Sequence, residues 1–147
     1  MSEMSVSDEQ LSLLLQASRE FAFGQMAAGE RLLPFATRVR ADGEIEFIRF
    51  AEDGTTQPLE EIYAFTREAM AREAREGTIL AASLVASVEL GEPEEGCDKA
   101  IRIHMEAPGF CRQILSPYAV GEVVDGKAQV TLGQLVPLSA EAEIFTA

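Results

Sequence analysis

Few residues in this chain could do acid–base or nucleophilic work. The only histidine, His104, lies in Ala100-Ile101-Arg102-Ile103-His104-Met105-Glu106, the cleanest period-2 alternation in the sequence. Successive side chains of a strand leave opposite faces of the sheet. Arg102, His104 and Glu106 therefore share one face, and Ile101, Ile103 and Met105 the other. Cys111 follows Pro108-Gly109. If that dipeptide is a two-residue turn, Cys111 pairs with Glu106 and Gln113 with His104, which makes His104 and Cys111 diagonal neighbours at ~7 Å. A thiol beside an imidazole, with a carboxylate to orient the ring, is a workable nucleophile. Pro-Gly favours a type II turn, however, which suits a two-residue hairpin poorly. A three-residue loop shifts the register by one, turns Cys111 to the core and sets Arg112 across from His104. Both registers stay open. The plainer reading is a sheet face of cross-strand ion pairs. His104, Cys111 and Glu106 are candidates for catalysis, and none is assigned that role.

A second set is basic. Arg38, Arg40, Arg49, Arg102 and Arg112 are five of the 12 basic residues, and all fall within expected strands. Guanidinium groups on adjacent strands can hold a carboxylate or phosphate bidentately, so Arg38, Arg40, Arg102, His104 and Arg112 form a candidate site for a small anionic ligand. The alternative is pairing with Glu44, Glu46, Glu89 and Glu106, where each exposed pair contributes only ~0–1 kcal/mol. Glu92, Glu94, Glu95 and Asp98 form an acidic loop that could offer oxygen ligands to calcium. It lacks the alternating Asp pattern of a calcium loop and reads better as a plain hairpin loop. One His and two distant Cys give no metal-ligand spacing. No phosphate-binding glycine loop and no Gly-x-Ser-x-Gly occurs. No metal or cofactor is expected.

The elements that must position these residues can be read in order. Residues 1–6 form a loose tail. Ser7-Asp8-Glu9-Gln10 is a capping box, and Leu11, Leu14, Leu15, Ser18, Phe21, Ala22 and Met26 then mark one helical face, with Gly29 as the stop. Leu32 to Ala41 alternates as a strand, Asp42-Gly43 turns a hairpin, and Glu44 to Phe50 returns. Glu52-Asp53-Gly54 is a turn. Pro58 opens a second helix that carries Leu59, Ile62, Tyr63, Thr66, Ala69 and Met70 and ends at Gly77. Thr78 to Leu90 is small or apolar on both faces, which predicts a central strand. The acidic loop Gly91 to Asp98, the His104 strand, and a return strand from Phe110 to Leu115 ended by Ser116-Pro117-Tyr118 follow. From Val120 the signal weakens to an Asp125-Gly126 turn and a short edge strand at Gln129 to Leu132. Ile144 and Phe145 are expected to dock on the domain.

This predicts a single α+β domain over 1–147, in the order α-β-β-α-β-β-β, with a mostly antiparallel sheet of about five strands. The order resembles profilin-like and roadblock-like domains, a likeness of fold alone. The chain also resembles a group of small uncharacterised bacterial proteins through Leu33-Pro34-Phe35-Ala36, Asp42-Gly43, the Ala100–Glu106 strand and Leu115-Ser116-Pro117-Tyr118. That resemblance implies no activity and no catalytic residues.

The 147 residues are 47% hydrophobic and 25% charged, as in an ordinary globular chain. The net charge of −13 argues against a phosphate-backbone binder and against an anionic membrane surface. No apolar run approaches the ~20 residues of a membrane span. The polar start Met1 to Gln10 does not read as a signal peptide. Cys97 and Cys111, at opposite ends of one strand, are expected as free thiols in a reducing, bacterial-type cytoplasm. A half-polar strand beside a nearly all-apolar one, with a single helix for each face, leaves sheet surface to cover. The leading expectation is therefore a non-enzymatic domain that homodimerises or binds a protein partner or small ligand. A small enzyme using His104, with Arg102 or Arg112 as anion clamp and Cys111 as nucleophile, is the alternative. An acidic inhibitor or immunity-type protein is a third reading, carried by charge alone.

Overall fold

The structure is a computed structural model that describes residues 6–28, 32–52, 55–94 and 96–145. The tail before Val6, the Gly29 stop and the Asp53-Gly54 turn lie outside the described residues. So do the side chains of Glu92, Glu94 and Glu95.

Helix α1 (Asp8–Ala27) starts as its sequence dictates. Ser7 Oγ accepts from the Gln10 N–H at 3.1 Å while Gln10 Oε1 accepts from the Ser7 N–H at 3.0 Å. Strands β1 (Phe35–Arg40) and β2 (Ile45–Ile48) form a hairpin in which Val39 faces Ile45 and Ala36 faces Ile48. Helix α2 (Leu59–Glu76) follows Pro58 and ends at Gly77, whose φ of 75° only glycine adopts without strain. Strand β3 (Ile79–Glu94) pairs with both β1 and β4 (Cys97–Ala107), and β5 (Phe110–Val124), β6 (Lys127–Leu132) and β7 (Val136–Leu138) complete the sheet.

The sheet has seven strands in the order β2-β1-β3-β4-β5-β6, with β7 also on β5, and every pairing is antiparallel. The α+β class and the antiparallel sheet agree with the sequence reading, but the expectation of five strands falls short. Strand β5 does not stop at Ser116-Pro117-Tyr118. A strand residue points its N–H and C=O to the same edge, and the Pro117 C=O accepts the Gly133 N–H at 2.9 Å. The missing donor of Pro117 therefore faces the break between β6 and β7, where the ladder loses nothing. Beyond it, Asp125 (φ 53°) and Gly126 (φ 77°) supply the two positive dihedrals of a tight turn into β6. The acidic segment is likewise no wide loop: β3 continues to Glu94 and β4 begins at Cys97, around Gly96.

The central strands are covered on both faces. On one, Ala22 and Met26 of α1 pack against Phe35, Val85, Ile101, Ile103 and Met105. On the other, Met70 of α2 packs with Ala36, Ala82, Leu84 and Ile144. Burial of apolar area of this kind contributes ~25 cal/mol per Å². Two apolar sets on β3 and one on β4 follow directly from this arrangement. The cover above the polar side of β4 comes from α2 together with the end of the chain.

Candidate functional site

Strand alternation sends Arg102, His104 and Glu106 to the α2 side of the sheet, while Ile101, Ile103 and Met105 join the α1-side core. The connection from β4 to β5 is the two-residue Pro108-Gly109 turn, with Ala107 facing Phe110, Glu106 facing Cys111 and His104 facing Gln113. Proline fixes a negative φ and Gly109 takes +76°, the type II pattern. Of the two registers compatible with the sequence, this one brings Cys111 to the histidine. Cys111 Sγ lies 3.9 Å from His104 Nε2.

The polar face of β4 does not meet solvent. His104 and Glu106 are 1% and 0% exposed. After β7 the chain crosses back over this face, and three consecutive N–H groups point at one carboxylate. Glu143 N–H donates to Glu106 Oε2 at 2.6 Å, Ile144 N–H lies 3.0 Å from both oxygens, and Phe145 N–H donates to Oε1 at 3.0 Å. The fourth partner is His104, whose Nε2 is 2.5 Å from Glu106 Oε2. Burial pushes the Glu106 carboxyl up. The hydrogen bonds from His104 and from the three backbone N–H groups outweigh that push, and its pKa falls below the ordinary value. The group is thus a buried carboxylate held ionised by donors alone.

Two further groups crowd His104 Nε2. Glu143 Oε2 lies 3.4 Å away, and the other oxygen of that carboxylate is 3.6 Å from Arg67 Nη1 on α2. Cys111 is the third neighbour of the nitrogen. Its thiol is pushed up by burial and then by the Glu106 and Glu143 carboxylates. The hydrogen bond to Glu106 assigns the ring proton of a neutral His104 to Nε2. Nδ1 is buried and has no hydrogen-bond partner among the described residues. A cysteine nucleophile needs one ring nitrogen free to take its proton while the carboxylate holds the other. Here Cys111 and Glu106 approach the same nitrogen, and that nitrogen already carries the proton. The three candidate residues are together, but His104 is not placed as a base for Cys111.

The arginines do not converge. Arg38 donates through Nη1 to both Glu73 oxygens at 2.7 Å and through Nη2 to Glu46 Oε1 at 3.1 Å. Arg40 reaches the same Glu46 at 3.4 Å. Arg49 bonds Gln25 of α1. Arg112 faces Met105 in the register, on the α1 side, with its guanidinium over Phe110 at 5.8 Å. Arg102 stands apart. Its guanidinium lies over the Tyr63 ring at 5.0 Å, and its Nε is buried without a partner among the described residues. Tyr63, Arg67 and Arg102 line a cleft of about 260 Å³ whose apolar wall includes Leu32, Pro34, Leu59 and Val88. The Tyr63 hydroxyl is pushed up by burial, which outweighs the neighbouring Arg102 charge.

Sequence reasoning missed Glu143 and Tyr63. Tyr63 was legible only as part of the apolar stripe of α2. Glu143 sits between residues expected to dock, but its backbone contact carries no side-chain signature. Among the described residues no helix is long and apolar enough to cross a membrane.

These features define a two-helix α+β domain in which the end of the chain is fastened over a buried His-Glu pair. Comparison with known protein families, with curated proteins and with solved structures finds no match to this chain, so neither the profilin-like and roadblock-like analogy nor the likeness to small bacterial proteins gains support from them.

Proposed function

We propose that the chain is a non-enzymatic domain that forms a homodimer through the edge of β6. The observation behind this reading is the ribbon made by β6 and the part of β5 beyond Tyr118. Val120, Val123 and Leu132 are exposed on its α1-side face and Val124 on the other, the face on which Val136 and Leu138 of β7 are also exposed. Strand β6 ends the sheet order, so its outer backbone groups face no strand among the described residues. A two-stranded ribbon outside a core is marginal in water. An apolar sheet edge is a template for another strand, and a second copy offers the same edge about a two-fold axis. Light scattering coupled to size exclusion tests this. The wild-type chain is expected to run as a dimer and the Val123→Asp/Leu132→Asp variant as a folded monomer. A wild-type monomer at high micromolar concentration would sink the proposal.

One observation favours a second reading, capture of a small anionic ligand. Arg102, whose buried Nε has no partner among the described residues, lines a cleft with apolar walls, the combination that suits a carboxylate with a short hydrocarbon body. Calorimetric titration with short-chain carboxylates is expected to give saturable heat that Arg102→Met removes. Equal heats in the two proteins would exclude it.

A further inference from the structure

The side chains gathered at His104 are a donor set for a metal ion. His104 Nε2, a Glu106 oxygen and Cys111 Sγ all lie within 4.8 Å of one another. Glu143 Oε2 stands 3.4 Å from the same nitrogen, outside that group of three, and supplies a fourth donor by swinging inward. The four residues come from two adjacent strands and from the returning end of the chain, so no spacing in the sequence could announce them. We propose that His104, Glu106, Cys111 and Glu143 bind one divalent ion of the zinc type, in tetrahedral coordination.

The argument begins with distances. Zinc bonds of ~2.0–2.1 Å to nitrogen, ~2.0–2.2 Å to carboxylate oxygen and ~2.3 Å to sulfur place neighbouring tetrahedral donors roughly 3.3–3.8 Å apart. The separations of 3.9 Å from Cys111 Sγ to Nε2 and 3.4 Å from Glu143 Oε2 to Nε2 are close to that spacing. Only the 2.5 Å contact between Nε2 and Glu106 is shorter, because a proton holds those two atoms together. Placing the ion there requires the proton to leave and the two atoms to separate by roughly 0.8 Å. Glu106 Oε2 is already 2.6 Å from the Glu143 N–H, so the His104 ring is the part that must shift.

Charge supplies the second argument. Two carboxylates and a thiol surround one ring nitrogen, and Arg67, 3.6 Å from Glu143, is the nearest basic side chain besides His104 itself. A divalent ion compensates them from the centre. The donor chemistry supplies the third. One imidazole, one thiolate and two carboxylates suit zinc or cobalt better than calcium or magnesium, which take oxygen alone. The outer contacts are also those of a metal site: the Glu106 carboxylate is oriented by three backbone N–H groups, as ligating carboxylates are. His104 and Glu106 form the buried floor, while Glu143 and Cys111 are partly exposed and leave a way in.

On binding, His104 Nε2 is freed of its proton, the ring carrying its one N–H on Nδ1, and the Cys111 thiol gives one proton to solvent per ion bound. Nδ1 finds no acceptor among the described residues, so the site is expected to bind less tightly than a closed structural zinc site.

Cobalt titration of the metal-free 147-residue chain tests the proposal. One equivalent is expected to produce a thiolate-to-cobalt band in the near ultraviolet and intense visible bands of tetrahedral cobalt, and zinc is expected to displace both. Cys111→Ser removes the near-ultraviolet band, Glu143→Gln weakens binding by about tenfold, and Cys97→Ser changes neither. A wild-type chain that gives no band, or only the weak spectrum of hydrated cobalt, overturns the proposal even if a variant fails to fold. So does a band that survives Cys111→Ser and disappears with Cys97→Ser.

Discussion

Glu106 and Ile144 are 38 residues apart in the chain, yet the Ile144 N–H lies 3.0 Å from both oxygens of the Glu106 carboxylate. The Ile144 side chain is meanwhile buried beside Met70 and Leu84. One residue thus fastens the end of the chain twice, by its backbone to a charge and by its side chain to the core. The two attachments can be separated by substitution.

Glu106→Gln keeps the shape of the carboxylate and removes its charge. The amide can still accept, but its NH₂ end faces backbone donors instead of complementing them. Breaking a buried charged network of this kind costs ~3–5 kcal/mol. The expected result is a lower urea midpoint, with the amide protons of Glu143, Ile144 and Phe145 exchanging faster in hydrogen-exchange measurements. Unchanged protection at those three amides would show that the carboxylate does not hold them.

Ile144→Ala removes the apolar attachment and leaves the backbone donors in place. Truncation of a fully buried isoleucine costs ~2–5 kcal/mol, depending on how far the site collapses. The two substitutions act on one segment, so their effects should not add. The double variant is expected to lose less stability than the sum of the singles, measured as a double-mutant cycle in urea.

Much of the frame behind these residues is visible in the sequence. The capping box at Ser7, the Asp42-Gly43 hairpin, the αL end at Gly77 and the alternation of β4 are local signals, and local geometry follows them. The length of β5 is not local. Pro117 reads as a stop, and it is tolerated only because its missing donor faces the gap by Gly133. The Cys111 register hangs on a Pro-Gly turn that the sequence leaves ambiguous. The polar residues of β4 read as a wet face because nothing local announces that residues 143–145 will cover them. A backbone N–H contact has no side-chain identity to recognise.

Glu106 also sets a pH dependence for the metal-free protein. Its folded pKa is below the ordinary value of 4.5, and the unfolded chain returns it to that value. Between the folded and the unfolded pKa the unfolded state binds more protons, so stability rises with pH there. The contribution is fully present above about pH 4.5 and is lost as pH falls through the folded pKa. Urea midpoints of wild type and Glu106→Gln are expected to converge on acidification below that value. A gap that stays constant would place the effect elsewhere than in the charge.

The environment of Cys111 has a kinetic consequence in the metal-free chain. Burial raises its thiol pKa, and the Glu106 and Glu143 carboxylates raise it further. The thiolate is the reactive form, so at neutral pH Cys111 should alkylate more slowly than an unperturbed cysteine. Cys97, at 0% exposure, should react more slowly still. Glu143 is the carboxylate that can be neutralised while the 2.5 Å contact between His104 and Glu106 is left in place, since its own side chain is 36% exposed and lies 3.4 Å from the ring. Glu143→Gln lowers the Cys111 thiol pKa and is expected to speed modification by iodoacetamide several-fold at pH 7. Raising the pH should narrow that difference, because both thiols then ionise. Mass spectrometry of the alkylated peptide resolves Cys111 from Cys97. An equal rate in the two proteins across the pH range would mean that Glu143 does not act on the thiol through its charge.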